Sequence, residues 1–195
     1  MRSVALLIGI VAGMAQAPAS TPKPTIALAV IGDTPRDVIA DLTPILRETF
    51  GAEIVMAPPV ALPASSWNAS RRQYLSTKLL DALESAKRPE WERLLGIADV
   101  DLYVPDLNFV FGEADSRRGV GVFSLARLRA GADEALFKRR AATEAIHELG
   151  HTYGLSHCDK PTCVMWFSNT LAESDHKGTK FCPEHARELA ENRGQ

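Results

Sequence analysis

The first part of the chain alternates apolar runs with amphipathic segments, which is typical of strands connected by helices. The apolar run 25–31 predicts a strand. Either Asp33 or Thr34 can cap the helix that is expected to follow, because both side chains accept hydrogen bonds from free backbone N–H groups. Apolar residues spaced three and four apart predict that this helix continues to Phe50, and Gly51 is expected to end it.

Short apolar runs occupy the middle of the chain, and a long helical pattern follows them. Between Asp133 and Tyr153, apolar residues recur at three- and four-residue spacing, which predicts a helix. Beyond Gly154 the sequence is polar and irregular. The other predicted elements are strands at 53–57, 95–98, 107–112 and 119–125, a second amphipathic helix at 71–87, and a short last helix at 184–193.

These elements predict an α/β protein with a single hydrophobic core. A chain of 195 residues is long enough for one sizeable domain and too short for two ordinary ones. Its 22 basic and 24 acidic residues nearly cancel, and like charges do not gather into long runs. The sequence therefore gives no indication of a nucleic-acid partner.

The first residues have the pattern of an export signal. Arg2 provides a positive start, the segment 3–15 is almost wholly apolar, and small residues follow it up to Ala19. The apolar stretch is shorter than the roughly 20 residues that a membrane-spanning helix needs. We therefore expect a cleaved signal peptide at 1–19, a folded domain at 20–195, and a periplasmic or secreted protein without stable membrane insertion. An uncleaved membrane anchor and a buried first strand are the alternatives.

The strongest chemical signal is the segment 147–157, His-Glu-Leu-Gly-His-Thr-Tyr-Gly-Leu-Ser-His. Residues four apart lie on one face of a helix, so His147 and His151 can bind the same ion. Gly154 can turn the chain sharply after the helix and bring His157 to that ion. Three imidazoles leave a fourth position open for water, which is the arrangement of a catalytic zinc site.

Glu148 lies about 100° around the helix from His147, so it is expected to lie near that water rather than on the metal. This predicts a zinc-dependent hydrolase of peptide bonds with Glu148 as the general base. Two alternatives remain at this point: a two-zinc binding protein without turnover, and a hydrolase that acts on a non-peptide amide.

A second metal site is indicated by the residues that follow. Cys158, Cys163 and Cys182 all come after the histidine motif, and His185 follows the last cysteine at a spacing typical of zinc ligands. They predict a structural Cys₃His zinc site. The alternatives are a disulfide between Cys158 and Cys163, and a site completed by His176 instead of His185.

The same residues carry a family resemblance. The run 147–157, the Cys163-Val164-Met165 segment and the upstream segments 108–114 and 124–128 closely resemble the archaemetzincins. This resemblance implies a compact single-domain metzincin-like peptidase with a mixed sheet of about five strands, an active-site helix and an irregular C-terminal part stabilised by zinc.

The resemblance also implies residue roles and partners. Met165 would lie beneath a catalytic zinc, a second zinc would lie beside it, and the substrate would be a peptide or protein. The family usually has a fourth cysteine where this chain has His185. Histidine is a competent zinc ligand, so two zinc ions, one catalytic and one structural, are still expected.

Overall fold

The structure, a computed structural model, describes residues 23–193, and the expected signal peptide at 1–19 lies outside this range. Within it, no helix is both long and apolar enough to cross a membrane. The strands are β1 (Thr25–Ile31), β2 (Glu53–Met56), β3 (Trp67–Asn68), β4 (Gln73–Leu75), β5 (Arg93–Ala98), β6 (Leu102–Tyr103), β7 (Gly112–Asp115) and β8 (Val120–Ser124). The helices are α1 (Asp37–Phe50), α2 (Ser76–Ala86), α3 (Glu134–Thr152), α4 (Leu171–His176) and α5 (Pro183–Arg193).

A five-stranded mixed sheet forms the centre of the domain, as predicted, with the strand order β2-β1-β5-β8-β7. The first four strands are parallel, and β7 pairs antiparallel with β8 at the edge. Three short strands make a second sheet in the order β3-β4-β6. The expected fold class is therefore confirmed.

Helices cover both faces of the central sheet. Side chains of β1 alternate: Ile26 and Leu28 belong to the core that includes α1 and α3, whereas Ala27 and Ala29 belong to the core with α2. A strand buried on both faces is expected to be almost entirely apolar, which explains the uniform run in β1. This arrangement buries α3, the helix that carries the histidine motif, against the sheet.

Two predictions in the middle of the chain are wrong. The helix expected at 71–87 begins only at Ser76, because Arg72 has a left-handed φ of 56° and residues 73–75 pair as β4 with β6. The strand expected at 107–112 is mostly a loop. There the side chains of Arg71 and Gln73 donate hydrogen bonds to the carbonyls of residues 107 and 108, so these acceptors are not available to a neighbouring strand.

Two helix boundaries also differ from expectation. Neither Asp33 nor Thr34 caps α1: the Thr34 hydroxyl donates to the Ile31 carbonyl instead, and α1 begins at Asp37. The polar segment after Gly154 was expected to be irregular, yet it contains α4. This short helix is stabilised by a capping box between Thr170 and Glu173.

Candidate active site and neighbouring metal site

Three imidazoles converge at the C-terminal end of α3. His147 and His151 lie one turn apart on that helix, and their Nε2 atoms are 3.0 Å apart. Gly154, with a φ of 85°, reverses the chain after the helix. This turn brings His157 Nε2 to 3.2 Å from His151 Nε2. The structure thus brings together the three histidines that the sequence singled out.

The geometry of the three rings fits a metal ion. Two nitrogens bound tetrahedrally to zinc at 2.0–2.1 Å would lie about 3.3 Å apart, close to the observed separations. The outer nitrogens are already engaged, because Nδ1 of His147 donates to the Val164 carbonyl at 2.8 Å and Nδ1 of His151 donates to the Leu155 carbonyl at 2.7 Å. These hydrogen bonds leave the Nε2 lone pairs facing one another, which is the arrangement that a cation stabilises.

Burial favours the neutral form of the imidazoles, which is the form that binds metal. It lowers the pKa of His147 well below its usual value, and the positive charge of Lys177 adds to the effect. Burial also lowers the pKa of His151 to about 4. Burial and the positive charge of Lys177 also lower the pKa of the more exposed His157.

Glu148 lies beside the imidazole cluster but does not join it. The carboxyl group is buried, and burial raises its pKa well above the usual value, with the nearby negative charge of Glu144 adding to the shift. Gly112 on the edge strand β7 lies directly against it: a Cβ atom at this position would be 2.5 Å from the Glu148 carboxyl carbon. The absence of a side chain at Gly112 therefore gives Glu148 its space.

Met165 packs against the helix α3. Its side chain is fully buried and contacts α3 at Gly150, where an added Cβ would be 2.6 Å from the methionine sulfur. Its carbonyl accepts a hydrogen bond from the Cys158 N–H, which ties this turn to the segment that follows His157. Met165 thus lies against the helix that carries His147 and His151.

The second group of candidate ligands lies immediately after the first. The ligand atoms of Cys158, Cys163, Cys182 and His185 all lie within 4.8 Å of one another. Cys158 and Cys182 have their sulfurs 3.9 Å apart, close to the roughly 3.8 Å expected for two thiolates bound tetrahedrally to zinc at 2.3 Å. All three cysteines are free thiols in this structure.

His185 faces this cluster through one ring nitrogen and the main chain through the other. Its Nδ1 is 3.3 Å from the Cys182 sulfur, and its Nε2 is 3.1 Å from the Ser156 carbonyl oxygen. Nε2–H can therefore donate to Ser156 while Nδ1 faces the metal position. His176, the last residue of α4, belongs to neither cluster.

A cavity of about 450 Å³ opens onto the first cluster. Its walls are largely apolar, and the charged residues that line it in the described part of the chain are three carboxylates, Glu113, Glu144 and Glu148, and one cation, Lys177. Sequence reasoning assigned no role to Glu144 or Lys177. Glu144 precedes Glu148 by one helical turn on a buried face, and that spacing is the only sequence signal that could have indicated it. Lys177 reaches the cavity from a distant segment, and no spacing predicts that contact.

An α/β domain with such a triad of imidazoles and an adjacent glutamate defines a zinc-dependent metallopeptidase. The chain belongs to peptidase family M54, whose model matches residues 36–191. Because the family consists of peptidases, the alternative of a two-zinc binding protein without turnover is not favoured.

Relatives and solved structures agree with this assignment. The archaemetzincin of Pyrococcus furiosus is 37% identical over 177 residues, which cover 85% of this chain and 92% of that protein. The crystal structure of the Methanopyrus kandleri archaemetzincin has a TM-score of 0.82 at 35% identity and covers 92% of this chain and 100% of that one. The Archaeoglobus fulgidus archaemetzincin, complexed with malonate, has a TM-score of 0.74 at 36% identity, covering 84% and 99%.

Proposed function

We propose that His147, His151 and His157 hold a catalytic zinc and that Glu148 is the general base in peptide-bond hydrolysis. The observation that carries this proposal is the convergence of three Nε2 atoms at 3.0 and 3.2 Å. Hydrogen bonds to the outer nitrogens of His147 and His151 fix the tautomer that faces a metal.

When bound, zinc supplies a Lewis acid that polarises a carbonyl and lowers the pKa of a coordinated water to about 7. The protein supplies the proton transfer. Glu148 accepts a proton from the attacking water and delivers it to the nitrogen of the leaving amine. Its buried carboxylate is a stronger base than an exposed one, which suits it to hold that proton between the two steps.

A second, structural zinc is proposed at Cys158, Cys163, Cys182 and His185. The separation of 3.9 Å between two of the sulfurs supports it, as does the N–H group of Cys182, which donates to the Cys163 sulfur at 3.3 Å. Such hydrogen bonds stabilise metal-bound thiolates. Since Cys158 directly follows His157, an ion here would also brace the third ligand of the first site.

Elemental analysis of purified protein tests the two-zinc arrangement. We expect close to two zinc ions per chain in the wild type and close to one in a folded Cys163→Ser variant. Peptide cleavage should stop on chelation and return when zinc is restored. A wild-type content near one zinc would contradict the second site, and cleavage that resists complete zinc removal would contradict the first.

We also propose that residues 1–19 are a cleaved export signal and that the mature peptidase domain is 20–195. Support comes from the apolar segment 3–15 followed by small residues. Intact-mass measurement of the exported protein should show a chain that begins near Pro18 or Ser20. A chain that still begins at Met1 would contradict cleavage.

A further inference from the structure

We propose that Lys177 binds a substrate carboxylate in the cavity beside the catalytic centre and so selects peptides with an acidic group next to the scissile bond. This inference deepens the proposed peptidase function and rests on it. It assigns the substrate class from Lys177, the one lysine among the described residues that line the cavity. Of the lining carboxylates, Glu113 accepts hydrogen bonds from Ser76 and Thr77. Glu144 faces Lys177 itself, and Glu148 is the proposed general base.

The amino group of Lys177 has hydrogen-bonding capacity left over. The residue is only 2% exposed, yet it lines the cavity. An ammonium group has three N–H donors. Among the residues that the structure describes, Nζ has two long polar contacts: Glu144 Oε1 at 3.3 Å and the Trp166 carbonyl at 3.4 Å. Charge-assisted N–H···O bonds are usually about 2.7–2.9 Å long. A buried cation is therefore available to an acceptor that enters the cavity.

The structural need for Lys177 is small, because other residues already hold α4 against α3. Asp175 makes a two-pronged contact with the buried Arg140, with both N···O distances at 2.7 Å. Ser174 donates to Glu144 Oε1 at 2.9 Å, a shorter contact to that oxygen than the one from Lys177. Burying a lysine costs free energy that an apolar side chain of similar size would not. Lys177 also offsets the charge of the buried Glu144, but the contact between them is long and leaves the lysine able to bind a ligand as well.

The cavity also suits an acidic ligand sterically. Its volume of about 450 Å³ accommodates a side chain, and Phe109, Phe111 and Phe167 contribute apolar wall to it. A low-dielectric wall strengthens the attraction between Lys177 and an entering carboxylate. The anchored α4 holds the lysine in place before the substrate arrives, so little ordering is needed on binding.

The carboxylate could come from an Asp or Glu side chain or from the free C-terminus of a peptide. The test is a mixed-peptide digest by zinc-loaded enzyme, with the cleaved sites identified by mass spectrometry. Wild-type protein should enrich acidic residues at one position beside the scissile bond. The expected preference over the matching amides is on the order of ten- to a hundredfold, the size of one charge-assisted hydrogen bond. Peptides with an amidated C-terminus distinguish the two sources of the carboxylate. If amidation abolishes cleavage, the bound carboxylate is that of the C-terminus.

Two variants give opposite expected results. Lys177→Met should lose the acidic preference while residual cleavage continues. Glu144→Gln removes the competing negative charge and should strengthen the preference. If Lys177→Met does not fold, Lys177→Arg should retain an acidic preference, and loss of it in a folded, active Lys177→Arg protein would count against the proposal.

Equal cleavage of acidic peptides and their amide counterparts by the wild type would overturn the proposal. Enrichment of basic residues beside the scissile bond would also overturn it, and so would an acidic preference that survives in Lys177→Met. Absence of any peptide cleavage by the zinc-loaded wild type would instead contradict the peptidase function itself. The binding of a short blocked peptide with one Asp, compared by calorimetry with its Asn counterpart, provides a readout without turnover. A second pair, with a free and an amidated C-terminus, tests the other source. Zinc-loaded wild type should bind the carboxylate form more tightly in one of the two pairs, and equal affinities in both pairs would contradict the proposal.

Discussion

His185 Nε2 lies 3.1 Å from the carbonyl oxygen of Ser156, the residue directly before His157. Its other ring nitrogen faces the cysteine cluster, 3.3 Å from the Cys182 sulfur. One imidazole therefore connects the proposed second metal site to the segment that carries His157, the proposed third ligand of the first. A cysteine at this position could bind zinc but could not donate to Ser156.

This connection predicts different outcomes for two substitutions at His185. His185→Cys should keep the second zinc and lose about 1 kcal/mol of stability, the usual net value of one hydrogen bond. His185→Ala should bind the second zinc much more weakly. Zinc analysis together with thermal unfolding distinguishes the two. Full zinc retention by His185→Ala would exclude the residue as a ligand.

The close contact between Gly112 and Glu148 predicts a catalytic defect without metal loss. In Gly112→Ala, the new methyl group would occupy the space 2.5 Å from the Glu148 carboxyl carbon and displace it. We expect kcat to fall on the order of 10- to 100-fold, because a misplaced general base loses much of its 10²–10⁴-fold contribution. Zinc content should not change.

Gly96→Ala is the matched control for Gly112→Ala. Its Cβ would crowd Leu83 at 2.7 Å and Ile31 at 2.8 Å on the opposite, α2-facing side of the sheet. Overpacking there should cost about 1–3 kcal/mol of stability while the folded enzyme keeps its kcat. If both variants lose kcat equally, the position of Glu148 is not the cause.

The contact of Asp175 with Arg140 predicts a pH-dependent contribution to stability. Hydrogen bonds from Arg140 lower the pKa of Asp175 below its ordinary 3.8, and burial opposes this only in part. When folding lowers the pKa of a carboxyl group, that group stabilises the folded state fully at pH values above its pKa in the unfolded chain. The stabilisation is lost as the pH falls through its pKa in the folded protein. Asp175→Asn should therefore cost about 2 kcal/mol at neutral pH, since it leaves Arg140 without its charged partner.

Urea unfolding of wild type and Asp175→Asn between pH 7 and pH 3 measures this difference. The difference in unfolding free energy between wild type and Asp175→Asn should stay constant down to about pH 4 and become smaller below that pH. A gap that widens in acid would contradict the assigned pKa direction.

The parts of the site that sequence predicted are those with local geometry. His147, His151 and His157 lie within eleven residues, so helical spacing and one glycine turn are enough to bring them together. The strand β1 and the end of α1 at Gly51 were likewise predicted from local patterns. The C-terminal cysteines were recognisable from their composition and spacing.

The parts that sequence could not predict depend on contacts between distant segments. Lys177 meets Glu144 across 33 positions, and Gly112 meets Glu148 across 36. The small sheet forms because residues 74–75 pair with 102–103, which overrides the helical pattern predicted for 71–87. Tertiary pairing of this kind leaves no periodic trace in either segment.

The central claim is that Glu148 moves protons while the histidines hold the metal. Glu148→Gln keeps the shape of the side chain and removes its basicity, so zinc content should match the wild type while turnover falls on the order of 10²–10⁴-fold. Glu134→Gln is the matched control, because Glu134 begins the same helix with its side chain 81% exposed. Zinc content and peptide cleavage are measured on the same preparations. We expect full zinc with almost no cleavage in Glu148→Gln and wild-type values of both in Glu134→Gln. Zinc-loaded Glu148→Gln that cleaves as fast as wild type would contradict the role of Glu148 as general base.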